Sequence, residues 1–226
     1  MGVSINPSIL SANLANLADE CMAIKDYCDY FHVDVMDYHF VPNLTFGLPV
    51  VEHLLKVVDT PLDCHLMIEN PERWASAYAE VGAQSVTFHF EAATSPMQVI
   101  TNIKQHGSKV GLAIKPATKL EDVVEYFDYI DMLLVMTVEP GFSGQSFMAD
   151  MMPKVRHARE LIRQRDLPMT IQVDGGVSER TIEECAENGA DVFVCGHGVF
   201  RAENPRAACI NLRKLALDAQ NGAWWT

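Results

Sequence analysis

The chain has no apolar run long enough to cross a bilayer. Its longest, such as "MLLVMTV" at 132–138, fall well short of the roughly 20 residues a spanning helix needs. No basic segment followed by an apolar stretch opens it, so a secretory leader is not expected. Its six cysteines (Cys21, Cys28, Cys64, Cys185, Cys195, Cys209) contain no C-x-x-C pair, and reduced thiols in a cytoplasmic protein are the simplest expectation. Positive charge is scarce: 17 Lys and Arg stand against 30 Asp and Glu, a formal net charge of -13 over 226 residues. A field of that sign repels polyanions, which argues against nucleic acid and anionic membranes as partners. A small phosphorylated ligand remains possible, because it answers to local donors. No linker, low-complexity stretch or shift of composition marks a domain break, so a single domain over 1–220 with a tail at 221–226 is expected.

With 49% hydrophobic and 21% charged residues, the composition is that of a globular chain with a sizeable core. Short β-rich runs recur at 4–10, 30–36, 61–68, 85–92, 109–115, 132–138, 170–176 and 191–197. Helical patterning lies between them. Asn70-Pro71-Glu72, Ser95-Pro96 and Ser178-Glu179 read as helix starts, and the glycines of "EVGA" (80–83), "QHGS" (105–108) and "ENGA" (187–190) read as stops. Alternating strands and helices imply parallel strands with right-handed crossovers. About eight such units fit an α/β chain closed into a (β/α)8 TIM barrel; an open doubly wound sheet shares the alternation.

The polar residues inside these strands are the informative ones. Side chains alternate along a strand with a period of two. In "FHVDVM" that puts His32, Asp34 and Met36 on one face; in "DCHLMI" it puts His65 and Met67 together; in "TIQVDG" it pairs Gln172 with Asp174; and in "INPSIL" it pairs Asn6 with Ser8. A barrel packs its outer face on helices and keeps its active site where the strands end, so these groups converge at the mouth. Two imidazoles (His32, His65) and two carboxylates (Asp34, Asp174) suit one divalent cation, with zinc or iron(II) ahead of manganese or cobalt. The second and seventh strands lie across the mouth from one another. Asp34 and Asp174 would then face opposite sides of a substrate, an arrangement for taking a proton from one face of a carbon and returning one to the other. Asp37, on the other strand face, is expected to brace the following loop. Met36, Met67 and Met136 are expected to form an apolar lid that excludes water. The glycine-rich "EPGFSGQ" (139–145), "DGGV" (174–177) and "CGHGVF" (195–200) follow strands six, seven and eight, the corner where barrels hold phosphate on backbone N–H groups.

Over nearly its whole length the chain resembles the ribulose-phosphate 3-epimerase family, in "PSILSANLANL" (7–17), "HVDVMDYHFVPNLTFG" (32–47), "DCHLMI" (63–68), "VGLAIKPAT" (110–118), "VMTVEPGFSGQSFM" (135–148) and "VDGGV" (173–177). The resemblance implies an isomerase that interconverts D-ribulose 5-phosphate and D-xylulose 5-phosphate, an interconversion of the pentose phosphate pathway. It implies one divalent metal ion per subunit on His32, Asp34, His65 and Asp174. Asp34 and Asp174 would be the acid/base pair, working through a metal-stabilised enediolate. By the same resemblance Ser8, His65 and Asp174 touch the sugar, and Gly141, Phe142, Ser143, Gly144, Gly175, Gly176, Gly196 and His197 hold the phosphate. A homo-oligomer is a further implication. Three positions depart from the family's usual pattern: Tyr38 stands where Gly or Asn is common, Ser143 where Gly is, and His197 where a small Ser is. Two related readings share most of the motifs, a 3-epimerase of a longer ketose phosphate such as D-allulose 6-phosphate and a phosphate-binding barrel without catalysis. A decarboxylase or lyase on a similar barrel commonly has a Lys between the acids of the strand-two motif, and "HVDVMD" has none.

Overall fold

The computed structural model describes residues 2–225. Eight strands form the sheet: β1 (Ser4–Asn6), β2 (Phe31–Met36), β3 (Leu62–Met67), β4 (Ser85–His89), β5 (Lys109–Ile114), β6 (Met132–Met136), β7 (Thr170–Asp174) and β8 (Val192–Val194). Each falls inside one of the expected runs. All ladders are parallel, and neighbours follow chain order, with β8 returning to pair with β1. The remaining seam, between β1 and β2, is stitched just beyond the end of β1. A parallel bridge joins Ser8 to His32, and the His32 N–H donates to the Pro7 carbonyl at 3.0 Å. Sequential order with this closure makes a nearly closed barrel and excludes the open doubly wound sheet.

Period-two alternation divides the strand residues between two environments. Phe31, Val33, Leu62, Leu66, Val86, Phe88, Leu112, Leu133, Val135, Ile171 and Phe193 belong to one large buried cluster with the helices. Each such side chain, fully removed from water, contributes about 1.5–3 kcal/mol. The opposite face carries two small apolar patches, Ala113–Leu134–Met136–Val138 and Met36–Val41–Met67. Polar residues are also buried in the strands: Asn6, His32, Asp34, Asp63, His65, Thr87, His89 and Gln172.

The helices are α1 (Leu17–Ile24), α2 (Leu48–Val57), α3 (Pro71–Glu80), α4 (Pro96–Lys104), α5 (Met152–Gln164), α6 (Ile182–Glu187), α7 (His197–Phe200) and α8 (Pro205–Asn221). α3 and α4 begin where expected, with Pro at the first position, but neither Asn70 nor Ser95 caps through its side chain. Glu72 links the two starts instead, its Oε1 accepting from the N–H groups of Thr94 and Ser95 at 2.6 and 2.8 Å. The three expected glycine stops follow α3, α4 and α6 with left-handed backbone at Gly82, Gly107 and Gly189.

Two expectations are corrected. Ser178-Glu179 does not open a helix. The Ser178 N–H donates to Thr181 Oγ1 at 2.9 Å, Thr181 Oγ1 donates to the Gly176 carbonyl at 3.0 Å, and the resulting turn delays α6 to Ile182. Between β5 and β6 the regular helix is replaced by two 3-10 turns, Leu120–Asp122 and Val124–Tyr126. Leu120, Val123, Phe127 and Ile130 nevertheless cover the barrel there as buried residues.

The tail is packed as far as it is described. Trp225 donates its indole N–H to the Ala186 carbonyl at 3.1 Å and lies over the buried Arg159 guanidinium, 4.7 Å from ring centroid to Cζ. Thr226 lies outside the described residues.

Candidate active site

Register brings the polar side chains together. Asp34 on β2 pairs with His65 on β3, and Asp174 ends β7. His32 Nε2 lies 3.4 Å from Asp34 Oδ1 and 3.6 Å from Asp174 Oδ2. His65 Nδ1 lies 3.5 and 3.4 Å from the same two oxygens, and the two ring nitrogens are 3.3 Å apart. One ligand atom from each residue lies within 4.8 Å of all the others. A tetrahedral cation with ligands at about 2.0–2.1 Å has ligand–ligand edges of about 3.4 Å. Five edges of this cluster match that length, so the donor set and its spacing fit a divalent ion.

Each of these groups is held from behind. Ser8 Oγ donates to Asp34 Oδ2, and Thr45 Oγ1 donates to the Asp34 carbonyl. His32 Nδ1 faces Asp63 Oδ2 at 2.9 Å, and Gln172 Nε2 donates to that same oxygen at 2.7 Å. His65 Nε2 faces His89 Nε2 at 2.9 Å, and His89 Nδ1 faces Glu91 Oε2 at 3.1 Å.

The electrostatics follow from burial opposed by neighbours. Burial disfavours the charged form of His32, but the Asp34 charge and hydrogen bonds with Asp174, Asp34 and Asp63 outweigh it and raise its pKa well above the usual imidazole range. His65 is raised for the same reasons, burial working against hydrogen bonds to Asp174 and Asp34. Asp34 and Asp174 are lowered: burial opposes ionisation, and the two imidazoles overcome it. A cluster that holds positive charge this firmly as protons offers the same carboxylates to a cation.

Above the cluster opens a cavity of about 280 Å³. Ser8, Asp34 and Asp174 line it, and His32 and His65 lie fully buried nearby. Met36, Met67 and Met136 line it, and all three are buried. Gly141, Phe142, Ser143, Gly144, Gly175, Gly176, Gly196 and His197 also line it. Gly176 is required there, because its φ is 69° and a Cβ would come within 2.6 Å of the Phe147 backbone nitrogen. The residues expected for metal, sugar and phosphate therefore meet at one place.

The three departures take definite positions. Tyr38 has φ 61°, the left-handed conformation that suits Gly or Asn, and is 69% exposed. Ser143 keeps a negative φ. The His197 ring sets its Nδ1 3.3 Å from Ser11 Oγ, and a Cβ on Gly144 would come within 2.9 Å of its Cε1, so it narrows the cavity beside Gly144. Asp37 braces the loop as expected, accepting from the N–H groups of His39, Phe40 and Glu69. Sequence reasoning passed over Asp63, His89, Glu91 and Ser11. The signal for two of these was present, since Asp63 shares the parity of His65, and His89 that of Thr87 in the next strand.

Solved structures share the fold. A structure of KGPDC from Streptococcus mutans superposes with a TM-score of 0.74 at 15% identity, covering 96% of this chain and 98% of that one. Orotidine 5'-phosphate decarboxylase from Pyrococcus horikoshii OT3 gives 0.66 at 13%, covering 97% and 100%. At that identity the likeness defines an α/β-barrel protein, and the cluster at its strand ends marks where the chemistry is to be sought. Sequence comparison is narrower. The family model described as "Ribulose-phosphate 3 epimerase family" matches residues 4–200. Ribulose-phosphate 3-epimerase of Mycobacterium bovis is 51% identical, covering 95% of this chain and 93% of its own length. That of Schizosaccharomyces pombe is 41% identical, covering 98% and 97%. The chain belongs to the ribulose-phosphate 3-epimerase family, and with it to the isomerases that act on carbohydrates.

Proposed function

We propose that the chain is a metal-dependent 3-epimerase interconverting D-ribulose 5-phosphate and D-xylulose 5-phosphate. The observation that carries this reading is the pair of carboxylates on β2 and β7, Asp34 and Asp174, each against the same two imidazoles and both lining a cavity that glycine-rich loops also line. His32, Asp34, His65 and Asp174 hold one divalent cation, zinc or iron(II) ahead of manganese or cobalt. When bound, it supplies Lewis-acid stabilisation for the negative charge that develops on the substrate oxygens.

The chain's own groups do the rest. One aspartate takes the proton from C3; the C–H electron pair moves toward the C2 carbonyl and gives an enediolate. The other aspartate, which enters the turnover protonated, gives its proton to C3 on the opposite face, and reversal exchanges their roles. Ser8, donating to Asp34, fixes that carboxylate's orientation and reaches the sugar. Met36, Met67 and Met136 keep water from the reacting carbon. Backbone N–H groups around Gly141–Gly144, Gly175–Gly176 and Gly196–His197 receive the phosphate, which supplies local affinity in a chain of net charge -13. The reading includes one catalytic domain over 1–220 with a short tail, a homo-oligomer, and a cytoplasmic enzyme. A rice relative 42% identical is named a cytoplasmic isoform, and no helix among the described residues is long and apolar enough to cross a membrane.

The test is solvent deuterium exchange at C3 with the metal-loaded protein. Ribulose 5-phosphate acquires deuterium there, and Asp34→Asn or Asp174→Asn lowers the rate by about 10³-fold or more, on the order of losing a positioned acid or base. Full activity in either variant overturns the two-acid mechanism. Faster turnover of a hexulose phosphate than of the pentose would move the substrate assignment.

A further inference from the structure

His89 and Glu91 lie behind the four-residue cluster, and the chemistry above does not use them. We propose that Glu91, acting through His89, is a positioning pair that fixes which nitrogen of His65 is presented bare to the cluster. The proposal rests on reading that cluster as a cation site and extends it to the groups that prepare the site.

Hydrogen-bond accounting along the chain of groups carries the argument. His65 Nε2 and His89 Nε2 stand 2.9 Å apart, and both rings are fully buried. Two ring nitrogens at that distance need one N–H and one lone pair between them. The choice is made at the other end. Glu91 is held as a carboxylate: burial opposes its charge, but His89, the Thr118 hydroxyl and the Lys115 N–H hold its pKa down to about 2. A carboxylate only accepts, so the His89 nitrogen 3.1 Å away, Nδ1, carries the hydrogen. A neutral imidazole carries one hydrogen, so with it on Nδ1 the Nε2 of His89 is bare and accepts from His65. With a cation in place of the cluster's protons, His65 therefore carries its hydrogen on Nε2 and turns an unprotonated Nδ1 toward Asp34, Asp174 and His32.

His32 reaches the same result by a shorter route, with Nδ1 on Asp63 and Nε2 on the cluster. Orienting partners of this kind fix the tautomer of ligand imidazoles and raise their basicity. The ring of His89 is itself clamped, stacked on His65 at 5.0 Å and packed on Phe40 at 4.9 Å. Glu91 is anchored to the segment after β5 by Lys115 and Thr118, so its position is set independently of the cluster.

The experiment measures Zn²⁺ affinity by chelator competition on the full chain and three variants. In Glu91→Gln the amide oxygen stays with Lys115 and Thr118, and the amide N–H turns to His89. This reverses His89 and leaves His65 presenting an N–H to the cluster, so zinc binds about 10- to 100-fold more weakly. The His89→Gln variant can still accept from His65 and loses less. Adding Glu91→Gln to His89→Gln changes affinity no further, because the carboxylate acts only through the ring.

A merely structural Glu91 would lower the melting temperature without changing zinc affinity, or would weaken zinc equally with and without His89; either result overturns the proposal. Nitrogen-15 spectra of the zinc-loaded wild type give an independent reading even if a variant fails to fold. They show His89 protonated on Nδ1 and bare on Nε2, and the reverse overturns the assignment. A wild-type chain that binds no zinc, iron(II), manganese or cobalt removes the cation site itself, which is a distinguishable failure.

Discussion

Tyr38 is the residue whose backbone and side chain disagree most openly. At φ 61° the Cβ crowds the following carbonyl, which costs about 1–2 kcal/mol for a residue other than Gly, and its exposed ring returns little buried area. Tyr38→Gly is expected to raise stability by about 1 kcal/mol, read as a higher urea midpoint with unchanged slope. The same position illustrates what single residues reveal before folding. Asp34 and His65 were legible because parity within one strand puts them on a shared face with apolar neighbours opposite. Asp63 and His89 have that parity too, yet their tasks arise from register between strands: His32 lies beside Asp63 across β2 and β3, and Thr87 beside His65 across β3 and β4. A period-two pattern carries no register. Tyr38 needed the turn geometry itself, which the order of residues alone does not contain.

At the level of elements, strands were read more securely than the segments between them. Their apolar runs are short, bounded by turn residues and separated by proline or glycine punctuation. The unit between β5 and β6 broke the pattern because its buried residues, Leu120, Val123, Phe127 and Ile130, satisfy burial from two 3-10 turns as well as from a helix. The start of α6 moved because the Thr181 hydroxyl satisfies the Ser178 N–H locally, a competition of side chain with helix that composition leaves undecided. The last helix and its extension have a measurable role. Trp225 is 5% exposed, roofs Arg159, and donates to the Ala186 carbonyl at the end of α6. Trp225→Ala is expected to cost about 3 kcal/mol and lower the melting temperature, while turnover stays the same because the residue does not line the cavity.

For the whole molecule, a cation held by the four-residue cluster, as proposed, would couple ligand binding to folding. His32 and Asp34 come from β2, His65 from β3 and Asp174 from β7, so the four donors meet only in the folded barrel. An ion bound there stabilises the native state by RT ln(1 + [L]/Kd), about 2.7 kcal/mol at a free concentration 100 times Kd. Removing it with a chelator should lower the melting temperature by several degrees, and re-adding zinc should restore it. Asp34→Ala should abolish most of that response; an equal response in the variant would mean that the ion binds elsewhere.

The stitch between β1 and β2 gives this coupling a sharper form. Ser8 joins the first strand to the second through its bridge to His32, and its hydroxyl holds Asp34. The cylinder's remaining seam and the orientation of the carboxylate proposed to react thus share one residue. A half-built, unsealed intermediate would be catalytically silent, and amide exchange at His32 would time the onset of turnover during refolding.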